Sequence, residues 1–230
     1  MTSHKSQAQG ARGAELLERL SHAPPLLPHL NSAALMLQVG LEWGNAKLPR
    51  PWASLGLSLT EGRLELELSS LWTQAPSPGP PPGPLWGLWE HEVVECFLVG
   101  AGGQYLELEF GPYEHHLAIS LEGVRRASRW CLPLQLRCER AHRAAPSLGV
   151  WRARASVSAR HLPSPLRRPQ ACGREEEGYL INAFACIGAG EGRRYLLSSP
   201  LEGESPDFHQ PERFPFYSLS ALSLQGQALC

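Results

Sequence analysis

The stretch Arg63-Leu64-Glu65-Leu66-Glu67-Leu68-Ser69 alternates strictly between apolar and polar residues. At a period of two, Leu64, Leu66 and Leu68 point to one side and Arg63, Glu65, Glu67 and Ser69 to the other, the pattern of a half-buried antiparallel strand. A second run, Ser54–Thr60, precedes it, and Glu61-Gly62 between them is a tight-turn signal. The same alternation returns over Gln104–Phe110, with Leu106, Leu108 and Phe110 against Tyr105, Glu107 and Glu109. Glu92–Val99 before it is apolar and β-branched, and Gly100-Ala101-Gly102-Gly103 joins the two as a hairpin. Further strands are predicted at 33–43, 116–121, 130–138, 149–158, 179–187 and 193–197. About ten short strands at this spacing predict an all-β antiparallel sandwich.

The remaining composition agrees. In 230 residues there are 22 Gly and 21 Pro, punctuation suited to many turns, and 43% hydrophobic residues, enough for a sizeable core. Residues 1–29 read as an extension, polar and disordered at first, with a short amphipathic helix over Ala14–Ser21 that Pro24, Pro25 and Pro28 end. Residues 30–230 read as one sandwich domain. Gln74–Pro84, QAPSPGPPPGP, reads as a long surface loop unable to hold a ladder. Glu175-Glu176-Glu177 reads as a solvated loop. A net charge of −1 gives no footprint for nucleic acid or an anionic membrane. No run of about 18 apolar residues predicts a membrane span. The six cysteines form no C-x-x-C pair. With no apolar signal core in MTSHKSQAQGARGAELLERL, the chain reads as cytoplasmic.

His91-Glu92-Val93-Val94-Glu95 is one residue away from the zinc-protease signature H-E-x-x-H. That signature works on a helix, where positions i and i+4 share a face. On a strand, His91 and Glu95 stand about 13 Å apart and do not chelate one ion. If the glycine turn closes Val99 onto Gln104, Glu95 opposes Leu108 and lies on the apolar face, where a carboxylate is costly without a partner. If the register shifts by one residue, Glu95 joins Glu107 and Glu109 in an acidic cluster able to hold Ca²⁺. Both registers stay open.

Three segments together resemble the family 9 carbohydrate-binding modules and their uncharacterised relatives. They are LWEHEVVECFLV (Leu88–Val99), QYLELEFGPYEHH (Gln104–His116) and GRRYLLSSPLEGESPDFHQPERF (Gly192–Phe214). Relatives show a Trp-x-x-x-x-Val-Glu-x-Phe strand, a Tyr-x-Glu strand ending near Pro, and a closing Pro-Asp-Phe-His-x-Pro-Glu-x-Phe. The chain is especially similar to a small uncharacterised family with the same run. The resemblance implies a single jelly-roll-like sandwich without catalysis, and sugar stacking on exposed Trp rings. Three features depart from the pattern. Ser198 stands where many relatives carry a Trp, Leu180-Ile181-Asn182-Ala183 keeps an Asn but lacks an Arg, and Pro215 follows Phe214 where Gly is common.

The candidate ligand site is therefore Trp72, Trp86 and Trp89 around the proline-rich loop, with Glu95 and Arg194. Glu107 and Glu109 are the candidate Ca²⁺ ligands. Indole faces match the C–H patches of a sugar and polar side chains match its hydroxyls. Trp130 and Trp151 fall inside strand patterns and read as core. His115-His116 reads as hydrogen-bonded or solvated, with haem ligation the alternative. Asp207 and His209 read as a turn that pins the C-terminal segment. No G-x-S-x-G or triad spacing is present, while Glu107 and Glu109, about 7 Å apart on one strand face, leave glycosidase chemistry as an alternative. The resemblance implies a carbohydrate-binding module with no catalysis. The alternative is a protein-interaction or cofactor-binding sandwich that has lost sugar binding.

Overall fold

In the computed structural model, which describes Glu18, Leu20 and residues 33–60, 62–141, 148–170, 173–188 and 190–223, the alternating stretches pair as their leucines require. β3 (Ala53–Thr60) and β4 (Arg63–Trp72) form a hairpin with Leu59 opposite Leu64, Leu57 opposite Leu66 and Leu55 opposite Leu68. β1 (Leu35–Val39), β11 (Gly149–Ser158) and β10 (Leu134–Ala141) complete a five-stranded sheet in the order β1-β3-β4-β11-β10. Its outer face carries the charged half of the alternation, where Arg154 meets Glu67 at 3.3 Å and Ser156 donates to Glu65 at 2.5 Å.

The second sheet is larger. It runs β2 (Leu41–Glu42), β14 (Arg194–Leu197), β13 (Glu175–Ile187), β6 (Val93–Val99), β7 (Tyr105–Phe110), β8 (His115–Leu121), β5 (Gly83–Pro84). β12 (Leu166–Pro169) and β15 (Phe216–Ser218) add to β13, and β9 (Ala127–Arg129) adds to β8. All these pairings are antiparallel except β5 with β8. Leu55, Leu57, Leu64 and Leu66 of the first sheet pack against Val94, Cys96, Leu98, Leu106 and Leu108 of the second. Trp52, Trp72 and Trp151 fill this interior. This is a two-sheet antiparallel sandwich, as the strand pattern predicts.

The second sheet is covered on its other face as well. Val93, Phe97, Val99, Tyr105, Phe184 and Leu197 form a second apolar cluster with Leu201, Phe208 and Phe214 from the C-terminal segment. Burying a ring such as Phe97 or Phe184 fully stabilises by about 1.5–3 kcal/mol. Phe208 stacks on Phe184 with centroids 4.3 Å apart and planes 10° from parallel, and Phe214 lies 5.7 Å from Phe184. Asp207 accepts a hydrogen bond from the His209 backbone N–H at 2.9 Å, the turn the sequence predicts here.

Several boundaries differ from the sequence reading. The strand expected at 130–138 begins only at Leu134, in β10, because Cys131 takes φ +57° and Pro133 follows it. Trp130 consequently sits outside any strand and is 57% exposed, not core. Glu175-Glu176-Glu177 is not a loop but the start of β13. It faces Arg167 and Arg168 of β12, and Arg167 reaches Glu177 at 3.0 Å. The proline-rich loop does hold a short ladder, as Gly83 and Pro84 pair in parallel with His115 and His116. Of the helix expected over 14–21, Glu18 and Leu20 are described; both are helical and Leu20 is buried in the inter-sheet core. The rest of that helix and of the N-terminal extension lies outside the described residues. Among the described residues no helix is long and apolar enough to cross a membrane.

Candidate functional site

The register of β6 on β7 decides the site. Val99 pairs with Tyr105, Phe97 with Glu107 and Glu95 with Glu109, one residue away from the simplest closure of the glycine turn. The turn is five residues long because Gly100 N–H donates to Gln104 C=O at 2.8 Å, with a 3₁₀ turn over Ala101–Gly103 between them. Opposed residues share a face, so Glu95, Glu107 and Glu109 fall together, and they fall on the face that the C-terminal segment covers. Of the two registers the sequence leaves open, the structure takes the one that groups the three glutamates, and Leu108 faces Cys96 in the inter-sheet core.

The covering is incomplete. Phe208 and Phe214 close over Phe97 and Phe184 and leave a cleft of about 560 Å³ above Glu95 and Glu107. Its floor adds Ile119, Leu121 and Cys186, and its rim is built by Trp86, Trp89, Arg125, Arg193, Tyr195 and the Pro206–His209 turn. A cleft of this volume is large enough to take a small molecule.

Burial governs the acidic floor. Glu95, Glu107 and Glu109 are all buried, with Glu109 at 0% exposure. Desolvation pushes Glu95 up to about 7, opposed by the Arg193 charge and by the Cys186 thiol, whose Sγ lies 3.7 Å from Oε1. Glu107 rises to about 8, through burial and then the neighbouring Glu95 charge. Glu109 is held well above the carboxylate range by burial and by both neighbours. No protein N–H among the described residues reaches either Glu109 oxygen. The neighbouring Glu95 and Glu107 carboxyls add to the rise that burial produces.

The aromatic rim is built differently. Gly87, at φ +83°, turns the chain so that Trp86 and Trp89 meet edge to face at 5.0 Å. Trp130 packs against the other side of Trp86 at 5.6 Å. Trp86 is 53% exposed. Arg193 donates to the carbonyl oxygens of Trp89, Glu90 (2.5 Å) and His91 (3.3 Å), and so fixes the tryptophan turn to the start of β14. On the opposite rim Arg125 pairs with Asp207 at 2.9 Å. The Tyr105 hydroxyl meets His209 Nδ1 at 2.7 Å and accepts from the Arg125 N–H at 3.1 Å. Burial, then the Arg125 charge, lowers His209 to about 4.

Of the predicted ligand residues, Trp86, Trp89 and Glu95 line this cleft. Trp72 does not. It is 1% exposed, packs in the inter-sheet core and meets Tyr113 edge-on, so no ligand reaches its ring. Arg194 does not either. The strand period turns it away from its neighbour Arg193, and it pairs with Glu42 at the β2 edge. Glu107 lines the cleft and Glu109 lies behind it. Among the described residues no three His, Cys, Asp or Glu side chains are placed to hold one metal ion. His115 is buried, with Nε2 2.9 Å from the Pro80 carbonyl, and Glu92 accepts from Thr73 N–H at 2.9 Å. Of the His91–Glu95 motif, Glu92 thus serves packing and Glu95 the cleft, and no zinc site is assembled among the described residues. Arg193, Arg125, Cys186 and Phe208 were not singled out from the sequence. The period-two rule, once Tyr195 is placed on the cleft face, would have pointed to Arg193.

No family model matches the chain. Among curated proteins, a zebrafish (Danio rerio) UPF0462 protein, C4orf33 homolog, is 31% identical over 170 residues, covering 70% of this chain and 77% of the relative. The mouse (Mus musculus) homolog is 31% identical over 176 residues, covering 72% and 82%. The chain belongs to the UPF0462 family. Among solved structures this UPF0462 chain is similar to a protein from Bacteroides uniformis provisionally named as carbohydrate-binding. The TM-score is 0.59 at 15% identity, over 80% of this chain and 85% of that one. A family 9 carbohydrate-binding module from Caldicellulosiruptor kristjanssonii in complex with glucose matches at TM-score 0.45 and 10% identity, over 84% and 90%. The first likeness shows that the UPF0462 sandwich is shared with that protein; the family itself is UPF0462.

Proposed function

We propose that the cleft of this UPF0462 chain binds a carbohydrate or glycoconjugate and does no chemistry on it. The observation that carries this reading is Trp86, an exposed indole at the mouth of a cleft with carboxyl groups on its floor. A sugar ring offers an apolar C–H face to the indole and hydroxyl edges to the carboxyls. Carboxyls that are partly protonated near neutral pH both donate to and accept from hydroxyls. The fold likeness to a protein provisionally named as carbohydrate-binding supports the reading without deciding it.

A glycan-array screen of the wild-type chain beside Trp86→Ala and Trp89→Ala tests it. Glycan binding that both substitutions weaken is the expected result. Binding that survives both removes the platform, and no binding to any glycan moves the reading to a protein-interaction sandwich.

A further inference from the structure

Among the described residues no cation forms a close ion pair with Glu95, Glu107 or Glu109, although the Arg193 and Arg125 charges act on Glu95 and Glu107. Glu95 faces Glu109 across β6 and β7, and Glu107 lies two residues along the same face. All three are buried, and neither Glu109 oxygen meets a protein N–H among the described residues. Two guanidinium groups line the cleft, and both are engaged elsewhere. Arg193 is spread over the carbonyls of Trp89, Glu90 and His91, and Arg125 is paired with Asp207. No lysine lines the cleft. Glu95 and Glu107 therefore face the open space of the cleft with Glu109 behind them, and the two guanidinium groups that line it are held by other partners.

We propose that the polar end of the ligand is an ammonium group, which makes an amino sugar the ligand class that fits the whole cleft. This rests on the sugar-binding reading for the part over Trp86 only. An ammonium brings three donors and no acceptor, the complement of carboxylates, whereas a hydroxyl brings one donor. Hydrogen bonds between ionised partners are about twice as strong as neutral ones, and they strengthen further where water is excluded. Entry of the cation favours the ionised form of the carboxyls it meets. Trp86 then receives the C–H face of the sugar, and its ring also attracts positive charge.

Isothermal titration of the full chain near neutral pH, with glucosamine, N-acetylglucosamine, glucose and propylammonium, tests this directly. Glucosamine is expected to bind at least ~10-fold more tightly than glucose or N-acetylglucosamine, the margin of one added charge-assisted contact. Glu107→Gln, checked for folding by its melting temperature, is expected to abolish that preference, and Glu95→Gln to reduce it. Equal binding of glucosamine and glucose overturns the ammonium and leaves the sugar cleft standing. Binding of propylammonium but of no sugar does the reverse. A glucosamine preference that persists in a folded Glu107→Gln overturns the role of the carboxyls, and binding of none of the four overturns both readings.

Discussion

Glu95 on β6 stands directly opposite Glu109 on β7, two buried carboxyls at paired positions of one antiparallel ladder. Like charges so placed repel, and burial weakens the screening between them. The pair persists because burial keeps the protons on: Glu95 is pushed up to about 7, Glu107 beside it to about 8, and Glu109 well above the usual range.

This gives stability a definite pH dependence. The folded carboxyls hold protons that the unfolded chain releases near its ordinary value of 4.5. Their contribution is therefore fully present below about pH 4.5 and is lost as pH rises through about 7 to 8. His209 acts in the opposite sense: lowered from 6.5 to about 4, it costs stability as pH falls across that interval. Thermal melts across pH are expected to show a fall on the alkaline side that Glu95→Gln or Glu107→Gln flattens. A flat alkaline limb in the wild type would count against the buried trio.

The hairpin turn sets the register, and it is tight. A Cβ on Gly100 would lie 2.2 Å from the Ser164 carbonyl oxygen and 2.7 Å from Pro163 Cβ. Its φ of −113° suits any residue, so the obstacle is purely steric. Gly100→Ala is expected to destabilise by about 1–3 kcal/mol, read from urea unfolding, as the 163–164 segment is forced outward. Gly102→Ala is the contrasting control, since nothing lies within 4 Å of its Cβ and its φ is +68°. It is expected to cost less, about 1 kcal/mol, from strain in the left-handed region alone.

Asn182 is the buried polar residue that joins β13 to the C-terminal segment. Its Oδ1 accepts from Ala183 N–H at 2.9 Å and Ser199 N–H at 3.0 Å, and its Nδ2 donates to Ser199 C=O at 3.2 Å. Asn182→Ala leaves those buried groups without partners and is expected to cost about 2–4 kcal/mol in chemical denaturation. Its retention in the motif is thus explained by structure, with no contact to a ligand required.

Arg193→Ala is expected to act on stability and on the cleft together. It strips the carbonyls of Trp89, Glu90 and His91 of their donor, a loss of about 1–3 kcal/mol. It also removes the positive charge that lowers Glu95, so the Glu95 carboxyl is expected to titrate at still higher pH, measurable by carbon-13 NMR of the side chain. Arg193→Lys is expected to restore much of the charge effect and little of the forked hydrogen bonding.

Much of this architecture was legible in the residues themselves. The alternation of 63–69 and 104–110 places β4 and β7 and says which side of each is apolar. It fails at 130–138 because a left-handed Cys131 and Pro133 interrupt a run that is apolar enough to pass for a strand. It also fails at 175–177, where three glutamates resemble a solvated loop until the arginines of β12 lie opposite them. The site was legible in part. Trp86, Trp89, Glu95 and Glu107 line the cleft, while Trp72, equally aromatic and equally near the proline-rich loop, is sealed in the core.

The sequence by itself determined that this chain is a two-sheet antiparallel sandwich, because side-chain alternation is a local property written at a period of two. It also left Glu95 with two possible faces. Only the tertiary structure chose between them. A one-residue difference in turn length moves every side chain of a strand to the other face, and the choice is settled by packing from elements far away in the chain. Here Phe208 and Phe214 cover one face of the second sheet, and the register puts Glu95, Glu107 and Glu109 on that face. What would otherwise be a solvated row of carboxylates becomes the floor of a cleft.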